Sequence, residues 1–164
     1  MIESPAFVRI NIAQQCLTLS INGIEIMSTR ISTAANGAGE QNDSGCTPRG
    51  RHYIRAKIGG GCKRNTVFSA RRPTGEILTP VLSEQFPGRD WILTRILWLC
   101  GMESGKNRLG EVDTMRRYIY IHGTADETQL GKPVSHGCIR MNNDDIIRLF
   151  DLVDVGTTVD ICED

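Results

Sequence analysis

Residues 16–33 read CLTLSINGIEIMSTRIST, two alternating apolar–polar runs around an Asn22-Gly23 pair. Alternation with a period of two places the apolar side chains on one face of an extended strand. Asn-Gly is the pair best suited to the two left-handed residues of a type I′ turn, so this stretch reads as a β-hairpin. FVRINIAQ (7–14) alternates in the same way and makes the hairpin a meander. The pattern recurs in RHYIRAKIG (51–59), RYIYIHGT (117–124) and TTVDI (157–161). TVFSARRPTGEILTP (66–80) reads as two short strands around a Pro73-Thr74-Gly75 turn. WILTRILWL (91–99) has the length of a strand or of a buried helical segment; its β-branched and aromatic content and its β neighbours favour a strand.

One segment has a different period. In NNDDIIRLFDLV, Ile146, Leu149, Phe150 and Val153 recur at helical spacing, with Asn142 or Asn143 as N-cap and Asp144 and Asp145 at the positive end of the dipole. Residues 34–50 contain no large apolar side chain and read as a loop between strands. Residues 100–117 form a long polar segment, of the kind that serves as a functional lid. Eight or nine strands and one helix predict a mainly β fold, a β-sandwich or barrel-like closure with the helix packed on one side. The length, 164 residues, suits a single domain over 1–164.

Net charge is zero, so no global field draws the chain to nucleic acid or to an anionic membrane, and neither is expected as a partner. Anion recognition has to come from individual arginines. The N-terminus, MIESPAFVRINIAQQ, lacks the basic, apolar and small-residue regions of a secretory signal, and the expected location is the cytoplasm, or the periplasm for a trimmed chain. Six cysteines are scattered without a CxxC pair and are read as reduced thiols, five of them inert.

The sixth, Cys138, stands in PVSHGCIRMNN (133–143). A thiol becomes an effective nucleophile beside an imidazole. His136 is too close along the chain for well-aligned proton transfer. His122 ends a separate strand sixteen residues earlier and is the expected general base. Its second ring nitrogen needs a partner, and the backbone carbonyl of Gly123 is the nearest. Gly137 would let the N–H groups of 137 and 138 turn toward a developing oxyanion, and His136 would shape the site. Arg140 would hold a substrate carboxylate in a fork. His122, His136 and Cys138 also form a candidate trio of zinc ligands.

HGT (122–124) followed by SHGCIRM (135–141) resembles the signature of the YkuD family, the L,D-transpeptidase catalytic domain. The opening INIAQQCLTLSING, the STAANG…CTPRGRHYI stretch and the closing DLVDVGTTVDI are similar to family landmarks as well. The resemblance implies a mostly β fold with the cysteine in a covered cleft, and no metal or organic cofactor. It implies a peptidoglycan stem tetrapeptide, or muropeptide, as substrate, cleaved between its L-centre and D-Ala. Cys138 would attack, His122 would move the proton, and the Gly123 carbonyl would orient it. Groups around His136, Gly137 and Cys138 would form the oxyanion site. Ser135 and Arg140, with Tyr120 on the His122 strand, would contact substrate. A carbapenem would acylate Cys138.

The motif leaves the acceptor open, since water and an amine use the same cysteine and histidine. The cytoplasmic expectation favours water, giving a tetrapeptide L,D-carboxypeptidase of muropeptide recycling; cross-linking L,D-transpeptidation is the alternative. A zinc- or muropeptide-binding module without activity is the reading of another class. A hydrolase of ordinary L,L-peptides is disfavoured, because its cysteine would precede its histidine.

Overall fold

The computed structural model describes residues 5–164. The strands are β1 (Ala6–Asn11), β2 (Cys16–Ile21), β3 (Ile24–Ser32), β4 (Gly50–Ile58), β5 (Thr66–Ser69), β6 (Arg72–Ile77), β7 (Ile92–Gly101), β8 (Tyr120–Gly123), β9 (Ile139–Met141) and β10 (Thr158–Cys162). Two helices join them, α1 (Pro80–Gln85) and α2 (Asn143–Leu152). Hydrogen-bonded neighbours run β4-β10-β1-β2-β3-β9-β8-β7, and β7 pairs with β4 again. Eight strands therefore close a barrel, and the β5–β6 hairpin extends from β7 outside it. Two neighbouring pairs are parallel, β1 with β10 and β8 with β9.

The hairpin of residues 16–33 forms as its pattern predicts, with Asn22 and Gly23 at φ of 53° and 79°. The inward residues of each strand fill the barrel: Val8 and Ile10, Leu17 and Leu19, Val159 and Ile161, all buried in one cluster. Each such side chain contributes roughly 1.5–3 kcal/mol by leaving water. Helix α2 joins the same cluster through Ile146, Leu149 and Phe150. Its N-cap is Asn142, whose side-chain oxygen accepts from the N–H groups of Asp144 and Asp145. At the other end the Lys57 ammonium donates to the Val153 carbonyl at 2.8 Å, a cation where the helix dipole is negative.

Three local expectations are corrected. The turn between β5 and β6 falls at Ala70-Arg71, both with positive φ, and not at Pro73-Thr74-Gly75. Residues 80–85 are helical: Thr79 caps the N-terminus by accepting from the Leu82 N–H, and Pro80 occupies the first turn, where its missing N–H costs nothing. The strand expected from 117 begins only at Tyr120, because Tyr118 sits at φ 56°. Most of the polar segment expected over 100–117 is tied down by hydrogen bonds. The buried Asn107 amide donates to the carbonyls of Arg49 and Arg51, and the Asp113 carboxylate accepts from the N–H groups of Leu109 and Arg116. The segment is pinned to the end of β4, and Arg117 and Tyr118 beyond it reach the cavity described below.

His52 on β4 is fully buried, with Nδ1 donating to the Gly50 carbonyl and Nε2 accepting from the Thr114 hydroxyl, each at 2.9 Å. Burial pushes its pKa down to about 4 from the ordinary 6.5. Below pH 6.5 the unfolded chain binds a proton that the folded chain refuses, so folding stability falls on acidification until the native ring titrates near 4. At about 1.4 kcal/mol per pH unit this group alone removes roughly 3 kcal/mol. Urea unfolding at pH 7 and pH 4.5 measures it; a His52→Gln protein should show a shallower decline, and an equal decline would remove His52 as its source.

Candidate active site

Strands β8 and β9 bring the two halves of the motif together. They run parallel with Ile121 beside Ile139 and His122 beside Arg140. Alternation then divides the side chains. Ile121, Ile139 and Met141 point into the barrel core. Tyr120, His122, Cys138 and Arg140 line a cavity of about 500 Å³ on the opposite face. The crossover of residues 124–138 supplies the length that a parallel pairing needs.

The Cys138 sulfur accepts from the Tyr120 N–H and donates to the Tyr118 carbonyl, both at 3.3 Å. Burial pushes the thiol up to about 12, with the Tyr120 N–H, Arg140 and Arg117 opposing and Asp90 reinforcing. His122 is buried, and desolvation holds its pKa below 6.5. Its Nδ1 lies 2.7 Å from the Gly123 carbonyl. A carbonyl only accepts, so Nδ1 carries the proton and Nε2 presents a lone pair. The resting pair is thus a neutral thiol and a neutral imidazole. Such a thiol holds no standing thiolate at neutral pH.

Gly123 is fixed from behind. A methyl group there would run into the Asn143 side-chain oxygen and stand 2.8 Å from the Leu93 carbonyl. Asn143 in turn accepts from the Thr94 hydroxyl and donates to the Thr124 carbonyl. These contacts set the peptide whose oxygen orients His122.

The turn before Cys138 is equally constrained. Gly137 has φ 134°, a conformation that side-chain-bearing residues avoid. Its carbonyl accepts from Thr47 Oγ1 at 2.9 Å, and its N–H donates to Ser135 Oγ at 3.2 Å. Ser135 Oγ donates to the Cys138 carbonyl at 2.6 Å. This corrects the expected pair of oxyanion donors: the Gly137 N–H is spent inside the turn, and the Cys138 N–H, which no turn bond occupies, is left. Ser135 braces the Cys138 peptide.

His136 lines the same cavity but makes no bond to the thiol. Its side chain is 76% exposed, and Nδ1 faces Asp90 Oδ2 at 3.3 Å. Arg140 lines the cavity but is paired with the other Asp90 oxygen at 3.1 Å. The expected open fork at Arg140 is therefore corrected, since a carboxylate of the chain already sits on it. Tyr120 places its hydroxyl against Arg71 and its ring edge-on to Trp98. The zinc trio does not assemble: His122 Nδ1 is on a carbonyl, His136 is on Asp90, and no group of three His, Cys, Asp or Glu gathers among the described residues.

Sequence reasoning missed Asp90, Arg71, Arg117 and Thr47. Arg117 stands just before the His122 strand, whereas Asp90, Arg71 and Thr47 are far from the motif along the chain, and only the fold brings them to it.

The family model described as YkuD, L,D-transpeptidase catalytic domain, matches residues 5–161. The chain belongs to the YkuD family. Curated relatives match at high identity but over short lengths. The putative L,D-transpeptidase YqjB of Bacillus subtilis is 54% identical over 44 residues, which is 27% of this chain and 25% of that protein. The probable L,D-transpeptidase ErfK/SrfK of Escherichia coli is 53% identical over 47 residues, 29% of this chain and 15% of that protein. The matches thus span a quarter or less of those relatives' length. L,D-transpeptidase 3 of Mycobacterium tuberculosis, solved with a faropenem-derived adduct, superposes with a TM-score of 0.59 at 20% identity, covering 97% of this chain and 60% of that one. An L,D-transpeptidase from Mycobacterium smegmatis gives 0.57 at 18% identity, covering 96% and 58%. These neighbours share the mainly β fold with its closed barrel.

Proposed function

We propose that this YkuD domain is a cysteine acyl-transfer enzyme acting on the bond between the L-centre and D-Ala of peptidoglycan stem tetrapeptides. The observation that carries the reading is one pair of side chains. A thiol at the entry to β9 and, on the adjacent parallel β8, an imidazole with an unoccupied Nε2 face one cavity.

The steps follow from that pair. Cys138 Sγ attacks the carbonyl carbon while His122 Nε2 takes the thiol proton. The Cys138 N–H donates to the oxyanion. On collapse the C–N bond breaks, and His122 returns the proton to the amine of departing D-Ala. A thioester on Cys138 remains. Water then attacks it, His122 again takes and returns a proton, and the tripeptide leaves with the thiol restored. An amine acceptor would follow the same path and give a cross-link.

We read water as the favoured acceptor for a soluble tetrapeptide. In its support, the cavity beside the thiol is open to solvent, and a second peptide has to be captured from dilute solution. Incubation of the pure protein with soluble tetrapeptide is expected to release tripeptide and D-Ala, followed by mass. Dimeric peptides in their place would shift the reading to transpeptidation, and unchanged tetrapeptide would refute acyl transfer.

A further inference from the structure

Three guanidinium groups line the cavity of Cys138, those of Arg71, Arg117 and Arg140, against a single carboxylate, Asp90. Two of the three are committed. Arg140 is bonded to Asp90. Arg117 donates through Nη1 to the Gly39 carbonyl and through Nη2 to Ser44 Oγ and the Cys46 carbonyl. Arg71 makes one hydrogen bond, from Nη1 to the Tyr120 hydroxyl at 3.0 Å, and has no carboxylate partner among the described residues.

Its position is nevertheless defined. The guanidinium carbon lies 4.8 Å from the centre of the Trp98 ring and 4.9 Å from that of Tyr118. A planar cation resting on two aromatic rings keeps its charge, loses freedom, and leaves its remaining N–H edge for a planar anion.

The backbone points the same way. Arg71 is the second residue of the β5–β6 turn, with φ 64° after Ala70 at 46°. Turns of this type ordinarily carry Asn-Gly, which adopt those angles without strain. An Ala-Arg pair there keeps the strain, and strain of this kind collects where a side chain is held for a task.

We propose that Arg71 is a substrate-binding residue that receives a carboxylate of the acyl-donor peptide. The cavity then selects donors that bear a negative charge at one fixed distance from the scissile carbonyl. This rests on the reading of Cys138 as the acyl-transfer nucleophile.

The test uses tetrapeptides in which each carboxylate is converted, one at a time, to the amide. For the intact sequence, one amidation is expected to lower kcat/KM by about ten- to a hundredfold, mainly through KM, and the others far less. Arg71→Gln should lose a similar factor on the acid peptide and lose nothing more on that amide; Arg71→Lys should recover part of the preference. A residue that only braced the turn would lower activity on acid and amide alike, with a lower thermal midpoint. An Arg71→Gln protein that still discriminates acid from amide as the parent does would overturn the proposal.

A second arm is independent of turnover. Cys138 is alkylated with iodoacetyl-amino acids of increasing chain length and with their amides. The parent is expected to prefer the acid about tenfold at one length, and Arg71→Gln to show no preference. Equal acid and amide rates at every length in the parent refute the Arg71 assignment even where tetrapeptide is turned over. A preference that Arg71→Gln abolishes supports it even where no tetrapeptide is turned over, an outcome that would defeat the proposed function alone.

Discussion

Cys138→Ser and Cys138→Ala proteins should both fold and both fail to release D-Ala, with kcat/KM down on the order of 10⁴-fold or more. The two substitutions separate chemistry from structure. Serine keeps groups able to accept from the Tyr120 N–H and donate to the Tyr118 carbonyl, the two bonds the thiol makes. Alanine leaves that N–H without its acceptor, at about 1 kcal/mol or somewhat more. The serine protein should therefore keep the parental thermal midpoint, and the alanine protein should drop by a few degrees. Neither carries a sulfur to form a thioester. Turnover by either variant at a rate near the parent's would place the nucleophile elsewhere.

His122→Ala is the second large effect. A thiol pushed up to about 12 is almost wholly protonated at neutral pH, so attack depends on a base that can take its proton. Loss of that base is expected to lower kcat/KM by about 10²–10⁴-fold. The pH profiles carry the mechanism. In the parent, kcat/KM should fall on the acid side as His122 is protonated, with a midpoint below 6.5, because burial depresses its pKa and only the neutral ring accepts a proton. It should stay level between pH 7.5 and 9, since desolvation raises the Cys138 thiol well above that range. In His122→Ala the residual rate should climb with pH, about tenfold per unit, as the small thiolate fraction does the work. A parental rise centred near 8.5 would show a freely ionising thiol and would contradict the desolvation that raises Cys138.

What the sequence made legible was local. The Asn22-Gly23 turn, the stripe of Ile146, Leu149 and Phe150, and the Asn142 cap are short-range patterns, and the structure carries each of them. The SHGC motif placed Cys138, and strand alternation put His122 on the same face. The Thr79-Pro80 pair was a readable helix start that the surrounding β pattern masked. What stayed hidden was pairing across distance. Asp90 meets His136 and Arg140 from 46 and 50 residues away. Thr47 reaches Gly137 across 90. The spending of the Gly137 N–H on Ser135 is local, but it depends on a rotamer and a φ value that letters do not encode.

The barrel is completed by its last strand. Thr158–Cys162 lies between β1 and β4, parallel to the first and antiparallel to the second. During synthesis those two edges stay without their shared neighbour until Cys162 has left the ribosomal tunnel, so the ring cannot be sealed from the N-terminus forward. Stalling or cleavage shortly before residue 158 would release a chain with two open sheet edges, ready to pair with a second such chain.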